Sequence, residues 1–263
     1  MRASLSALRY PGEQSTLAGT LTLAGLILLL TAAPTLLMLP LAAGLMLALS
    51  YSMSRSHHQQ LIRNALAVTP ENAAGLDALV QDCRRRLNAE AVQVFAVRSR
   101  QLNAYTFGLH APRVVVLYSG LFEHMDADEM RFIIGHELGH VVLGHTWLNT
   151  LVGGMAGLPA SFGGAVLLTL ALRGWNRACE YSADRAGLVA CSSPAKAISA
   201  LVKLVASGHT PQELERALRA VEAEDDSLLN VLAESLSTHP MVVKRIAELR
   251  KFAASPEYQK MAA

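Results

Sequence analysis

The chain of 263 residues is poor in charge and in cysteine, and each shortage narrows what it can be. Only 17% of its residues are charged and the formal net charge is +2. The basic residues are scattered apart from Arg84-Arg85-Arg86, which reads as the solvated face of a helix, so nucleic acid is not expected as a partner. Cys83, Cys179 and Cys191 form no CxxC pair and leave an odd count, which reads as small buried thiols in a reducing compartment. Charge is missing altogether from residues 17–50, an apolar run broken near Pro34 and Pro40. It is long for a secretory leader and lacks a clear small-residue cleavage site straight after it, so a leader is not expected. What the chain has in abundance is apolar side chain, 52% of the total, which is rich for a protein that never meets lipid.

A single membrane crossing takes about 20 apolar residues, so the run is long for one span and short for two. Arg2 and Arg9 precede it, and Arg55 and Arg63 follow it. The positive-inside rule puts both ends in the cytoplasm only if the chain crosses twice, which favours a tight hairpin over one tilted span. The expected organisation is a cytoplasmic tail over residues 1–16, a membrane anchor over 17–52, a linker over 53–68, a catalytic domain over 69–255 and a tail over 256–263.

Within that domain the chemistry gathers at His136-Glu-Leu-Gly-His140. Residues four apart differ by about 40° around a helix, so His136 and His140 leave the same face one turn apart, as half of a zinc site. Glu137 lies about 60° from His140, where a carboxylate reaches the attacking water without displacing a ligand and serves as general base. Asp126 and Glu129 form a capping-box start, and Met130, Ile133, Ile134, Leu138, Val141 and Val142 continue a helical apolar stripe. The motif is therefore expected inside a buried helix, where two merely structural histidines would leave Glu137 without a partner in apolar surroundings. His145 lies about 140° around that helix from His140 and is expected to point away from the metal, in a structural role.

Upstream, Thr69-Pro70 opens a helix, Ala91 to Val97 and Arg113 to Leu117 read as strands, and Asn103 to Gly108 as a short strand between them. That short strand is either the sheet edge on which an extended peptide pairs or an ordinary inner strand, and spacing does not separate the two. Downstream, residues 150–172 form a second apolar stretch, expected as a helical hairpin packed on the domain or dipping into the bilayer. Next, Glu180 and Asp184 share a helical face. Glu180 supplies the third zinc ligand and Asp184 accepts the outer N–H of a ligand histidine. Further helices are expected from Thr210 and from Asp225 to Ser235, and a last one after Ser237-Thr-His-Pro240. His239 and Arg245 are candidates for a donor that stabilises the oxyanion, with a plain helix-cap role for His239 as the alternative.

Asn103-Ala104-Tyr105, His136-Glu-Leu-Gly-His140, Glu180-Tyr-Ser-Ala-Asp184 and Thr238-His-Pro240 with Arg245, four ordered motifs, resemble the gluzincin membrane endopeptidases that include HtpX-like proteases and CAAX prenyl proteases. The resemblance implies one Zn2+ per chain on His136, His140 and Glu180, Glu137 as base, Asp184 in support, substrate pairing near Asn103, Ala104 and Tyr105, and a cleft role for His239. It implies an α+β, mostly helical zincin-like domain with a small sheet behind a transmembrane hairpin. It also implies an endopeptidase of a bacterial inner membrane, facing the cytoplasm and acting on misfolded or membrane-associated polypeptides, with lipid around its anchor. A proteolytically silent or gated zinc-bound scaffold is the rival.

Overall fold

A computed structural model describes residues 5–32, 34–35, 37–152, 163–206 and 242–262. His239, and the helices expected from Thr210 and Asp225, lie outside the described residues. The chain opens with a single turn, α1 (Leu5–Leu8), then α2 (Glu13–Ala32) and α3 (Met38–Arg63). Helix α2 ends two residues before Pro34, as the sequence suggests. Pro40 does not interrupt the apolar run: it sits in the first turn of α3, where a missing N–H costs nothing. Among the described residues α2 alone is long and apolar enough to cross a membrane, and none of its apolar window is buried against the protein.

The stretch expected as a linker is mostly ordered structure. Residues 53–63 continue α3, and Leu66–Ala67 form a short strand, β1. Helix α4 (Pro70–Leu87) follows, with Asn72 Oδ1 accepting the Thr69 N–H at 3.0 Å. Strands β2 (Val92–Val97), β3 (Ala104–Phe107) and β4 (Arg113–Tyr118) complete a four-stranded sheet in the order β1-β2-β4-β3. The central pair β2 and β4 is parallel, and β1 and β3 flank it antiparallel, with Tyr105 opposite Val116 and Thr106 opposite Val115. Among the described residues strand β3 is therefore an edge, the question that spacing left open.

One face of the sheet carries Val94, Val115 and Leu117 into a core shared with Val80, Cys83 and Leu87 of α4. After α5 (Gly120–His124), helix α6 (Ala127–Val142) runs through this core with Met130, Ile133, Ile134 and Leu138 buried. Helix α7 (Thr146–Val152) leads to α8 (Gly163–Cys191), a single helix of 29 residues. The second half of the expected apolar hairpin and the segment bearing Glu180 are thus one continuous rod. Helices α9 (Pro194–Ala206), α10 (Val242–Ala253) and α11 (Pro256–Ala262) close the core with Leu201, Ile246, Phe252 and Tyr258. Residues 256–262, expected as a tail, are helical and bury Tyr258. The architecture is α+β, mostly helical with a small mixed sheet.

Candidate metal centre

Helix α6 starts where its cap is strongest. The Asp126 carboxylate accepts the N–H groups of Asp128 and Glu129, both at 3.0 Å, and Glu129 Oε2 accepts the Asp126 N–H at 2.8 Å. A hydrogen bond from Lys196, aided by those backbone N–H groups, holds the Asp126 carboxyl down to about 2. Sixteen residues of helix follow, and α6 lies unusually close to α8. A Cβ on Gly135 would sit 2.4 Å from that of Ala190, and one on Gly139 would sit 2.7 Å from that of Ala186. Gly187 reciprocates, since its missing Cβ leaves room for the Phe132 ring. Small residues on both helices let the backbones approach, so side chains of ordinary length meet between them.

At that seam His136 and His140 of α6 face Glu180 of α8. The two Nε2 atoms are 3.2 Å apart, and they lie 3.6 and 3.5 Å from the Glu180 carboxylate oxygens. Ligands at about 2.0–2.1 Å from one ion, at the tetrahedral angle, are about 3.3–3.4 Å apart. Two neutral imidazoles and a carboxylate form a donor set suited to a borderline divalent ion, with a coordination position left over. By spacing and by chemistry the three residues fit a divalent metal.

Behind the ligands stands a buried ion cluster. Asp184 Oδ1 accepts from Nδ1 of His136 at 3.0 Å, which leaves Nε2 of that ring free to face the cation site. Arg245 of α10 grips Asp184 with two hydrogen bonds, at 2.8 and 2.5 Å, and reaches Glu180 Oε2 at 3.2 Å. Its partners are thus the two carboxylates and, at 3.4 Å, the Nδ1 of His136. Burial, the largest influence, would raise the carboxyls of Glu180 and Asp184, but the Arg245 charge, together with hydrogen bonds from Arg245 and the neighbouring histidines and the charge of those histidines, holds both below the usual carboxylate range. Burial likewise pulls His136 down, yet the Asp184 hydrogen bond and the Glu180 charge leave its affinity for a proton raised.

Glu137 points toward the sheet. Its Oε2 accepts the Thr106 hydroxyl at 2.6 Å, and its main-chain carbonyl lies 3.3 Å from the same oxygen. Thr106 belongs to β3, so the edge strand runs directly beside this carboxylate. The pleat sends Tyr105 and Phe107 to the opposite face, where His58 of α3 stacks on Phe107 with ring centres 3.7 Å apart. Asn103 presents its carbonyl to the Tyr118 N–H at 3.0 Å, closing β3 onto β4. Of the three residues expected to meet substrate, Ala104 and Tyr105 lie on the edge strand itself and Asn103 just before it.

His145 does not follow the helical wheel. Helix α6 stops at Val142, and Gly144 at φ +77 turns the chain back so that His145 N–H bonds to the His140 carbonyl at 2.9 Å. The ring returns beneath the His140 imidazole, with its Nδ1 3.0 Å from Nδ1 of His140. Burial pushes this imidazole down to about 4, against the pull of a carboxylate close to it, so it is neutral at pH 7. That carboxylate is Glu13, 3.3 Å away at the first residue of α2. Thr106 and Glu13 both escape a reading of the sequence. The first needs strand register and the second a contact across more than 120 residues, although an HExxH helix ending in Gly-His is a visible cue.

A model of peptidase family M48 matches residues 70–253. The chain is similar to the plastoglobule-localized metallopeptidase 48 of Arabidopsis thaliana, 28% identical over 218 residues, covering 76% of this chain and 63% of that one. It therefore spans less than two thirds of that relative's length. Another relative is the protease HtpX homologue of Moorella thermoacetica, 29% identical over 225 residues and covering 71% of this chain and 75% of that one. Among solved structures, Ste24p from S. mikatae aligns with a TM-score of 0.45 and 17% identity, over 84% of this chain and 66% of that chain. The family match covers well over half of the sequence and contains helices α6 and α8, and the chain belongs to peptidase family M48.

Proposed function

We propose that the chain is a membrane-anchored, zinc-dependent endopeptidase, with one Zn2+ held by His136, His140 and Glu180. The observation that carries this reading is the meeting of three ligand side chains, within 4.8 Å of one another, with Glu137 beside them and an edge strand alongside. Zinc bound there would polarise the scissile carbonyl and acidify the attacking water. Every other role falls to the chain. An extended peptide pairs with the free edge of β3, where main-chain hydrogen bonds give affinity without fixing sequence. Thr106 donates to Oε2 of Glu137 and so orients the carboxylate, leaving Oε1 to take the proton from water and pass it to the departing amine. Asp184 fixes the tautomer of His136, and Arg245 balances the negative charge behind the ligands.

The anchor is α2 paired with the apolar half of α3, both ends facing the cytoplasm because Arg9, Arg55 and Arg63 flank them. The substrates are misfolded or membrane-associated polypeptides, consistent with a β-edge that reads backbone and with likeness to HtpX proteases. The test is cleavage of unfolded casein by detergent-purified protein beside Glu137→Gln of equal zinc content. A loss of about 10²–10⁴-fold in rate is expected, the usual contribution of a general acid–base. A variant that cuts at the wild-type rate overturns the assignment of Glu137. No cutting by either protein, with one zinc bound to each, would mark the chain as a silent scaffold.

A further inference from the structure

The two histidine ligands are supported differently. His136 has a carboxylate directly behind it, Asp184. His140 has a second imidazole behind it, and only beyond that a carboxylate, Glu13. All of these groups are buried, Glu13 at 2% exposure and His145 at 1%. The order of protons along the row follows from valence. With Nε2 of His140 turned to Glu180, its Nδ1 carries the hydrogen and donates to Nδ1 of His145. His145 must then carry its own hydrogen on Nε2, the atom nearest Glu13 Oε1. That Nε2 has no well-aligned acceptor, and Glu13 at 3.3 Å is close enough for a small rotation to complete the bond.

Glu13 is itself firmly placed. Its Oε2 accepts the Ser182 hydroxyl and its Oε1 pairs with Arg9. Arg9 also donates to the Leu143 carbonyl at 2.7 Å, the Tyr10 N–H donates to Ser182 Oγ at 2.7 Å, and Arg185 donates to the Arg9 carbonyl at 2.9 Å. Leu8 is fully buried in the main core. Residues 8–13 are thus strapped across the end of α6 and the flank of α8. We propose that Glu13, acting through His145, is a positioning residue for His140, so that the segment entering α2 is a working part of the metal centre. This rests on the reading of His136, His140 and Glu180 as the metal ligands.

Glu13, His145 and Cys179 also have ligand atoms within 4.8 Å of one another, the spacing of a second cation site. The proton required on His145 Nε2, the occupation of both Glu13 oxygens and the Arg9 guanidinium beside them argue for the positioning role instead.

The test uses the full chain in detergent, with Zn2+ affinity measured by competition with a chromogenic chelator and site geometry by the visible spectrum of the Co2+ form. Glu13→Leu and His145→Phe should each weaken Zn2+ binding by about 10–100-fold and alter the Co2+ spectrum. Because the two act in series, the double variant should lose no more than the worse single one. Glu13→Gln, which keeps an acceptor and is nearly isosteric, should recover most of the affinity, and Glu13→Ala, with the same loss expected as Glu13→Leu, serves as the measurement if the other two fold poorly. Affinity within threefold of wild type in folded Glu13→Leu and His145→Phe would overturn the proposal. So would two Zn2+ per chain with one lost in Cys179→Ser. If His136→Ala binds Zn2+ as tightly as wild type, the ligand assignment itself fails, a result separable from the others.

Discussion

Helices α2 and α6 are both apolar, and they are inverted with respect to each other. Helix α6 buries twelve residues, among them His136, Glu137, His140 and Glu129, and each of these four has a named polar neighbour. Helix α2 buries only Glu13. Most of its leucines are exposed, Leu29 at 72% and Leu30 at 66%, while Leu17 packs against Leu148, Leu172 and Trp175. The two differ in average hydrophobicity, and the difference traces to their ionisable residues. What separates them is where the charge lies. Helix α6 carries ionisable groups through its length because the protein supplies partners for them, whereas α2 has its one carboxylate at the end that touches the domain. A helix of the first kind needs protein around it and one of the second kind needs lipid.

The contrast can be broken by experiment. The largest effect should come from the partners of the buried charges. Arg245→Met leaves Glu180 and Asp184 buried together without their cation, and should cost about 3–5 kcal/mol by denaturation with chelator present. Next come two matched glycine substitutions. Gly139→Ala drives a methyl group into Ala186 and should cost about 1–3 kcal/mol while weakening metal binding. Gly25→Ala in α2 meets nothing within 4 Å and should be neutral or better. Equal losses from the two would erase the distinction between the helices.

A smaller effect lies at the start of α6. Asp126→Ala removes the N-cap at a cost of about 1 kcal/mol near neutral pH. The folded-state carboxyl is held at about 2, below its ordinary 3.8, so this advantage is complete above about pH 4. It should vanish as the pH falls through 2, which acid titration of the two proteins would reveal. The smallest change in folding stability belongs to Leu29→Ser with Leu30→Ser. Unfolding in detergent should move by no more than about 0.5 kcal/mol, while flotation with liposomes should fall.

Much of the site was legible because it is local. His136, Glu137 and His140 depend on one helical period, Glu180 and Asp184 on another, and the Asp126 cap on three residues. The pairing of the two helices was written less plainly, in Gly135, Gly139, Ala183, Ala186, Gly187 and Ala190, whose meaning appears only when both faces are known. Thr106 was invisible because a shift of one residue in β3 would turn it away from Glu137. His145 departs from the helical wheel because α6 ends at Val142 and Gly144 reverses the backbone. Strand β1 has two residues and no pattern to read, and α8 joins the second half of the 150–172 apolar stretch to the segment bearing Glu180 in one helix.

Helix α3 leaves the apolar region and continues without a break to Arg63, with only Asn64 and Ala65 before the sheet begins at Leu66. At about 1.5 Å per residue its 26 residues form a strut of about 39 Å, braced against β3 where His58 stacks on Phe107. With α2 in a bilayer, such a strut acts as a ruler and not as a leash. The cleft would stand at one height above the lipid surface, and a polypeptide would be cut only where its chain becomes extended at that height.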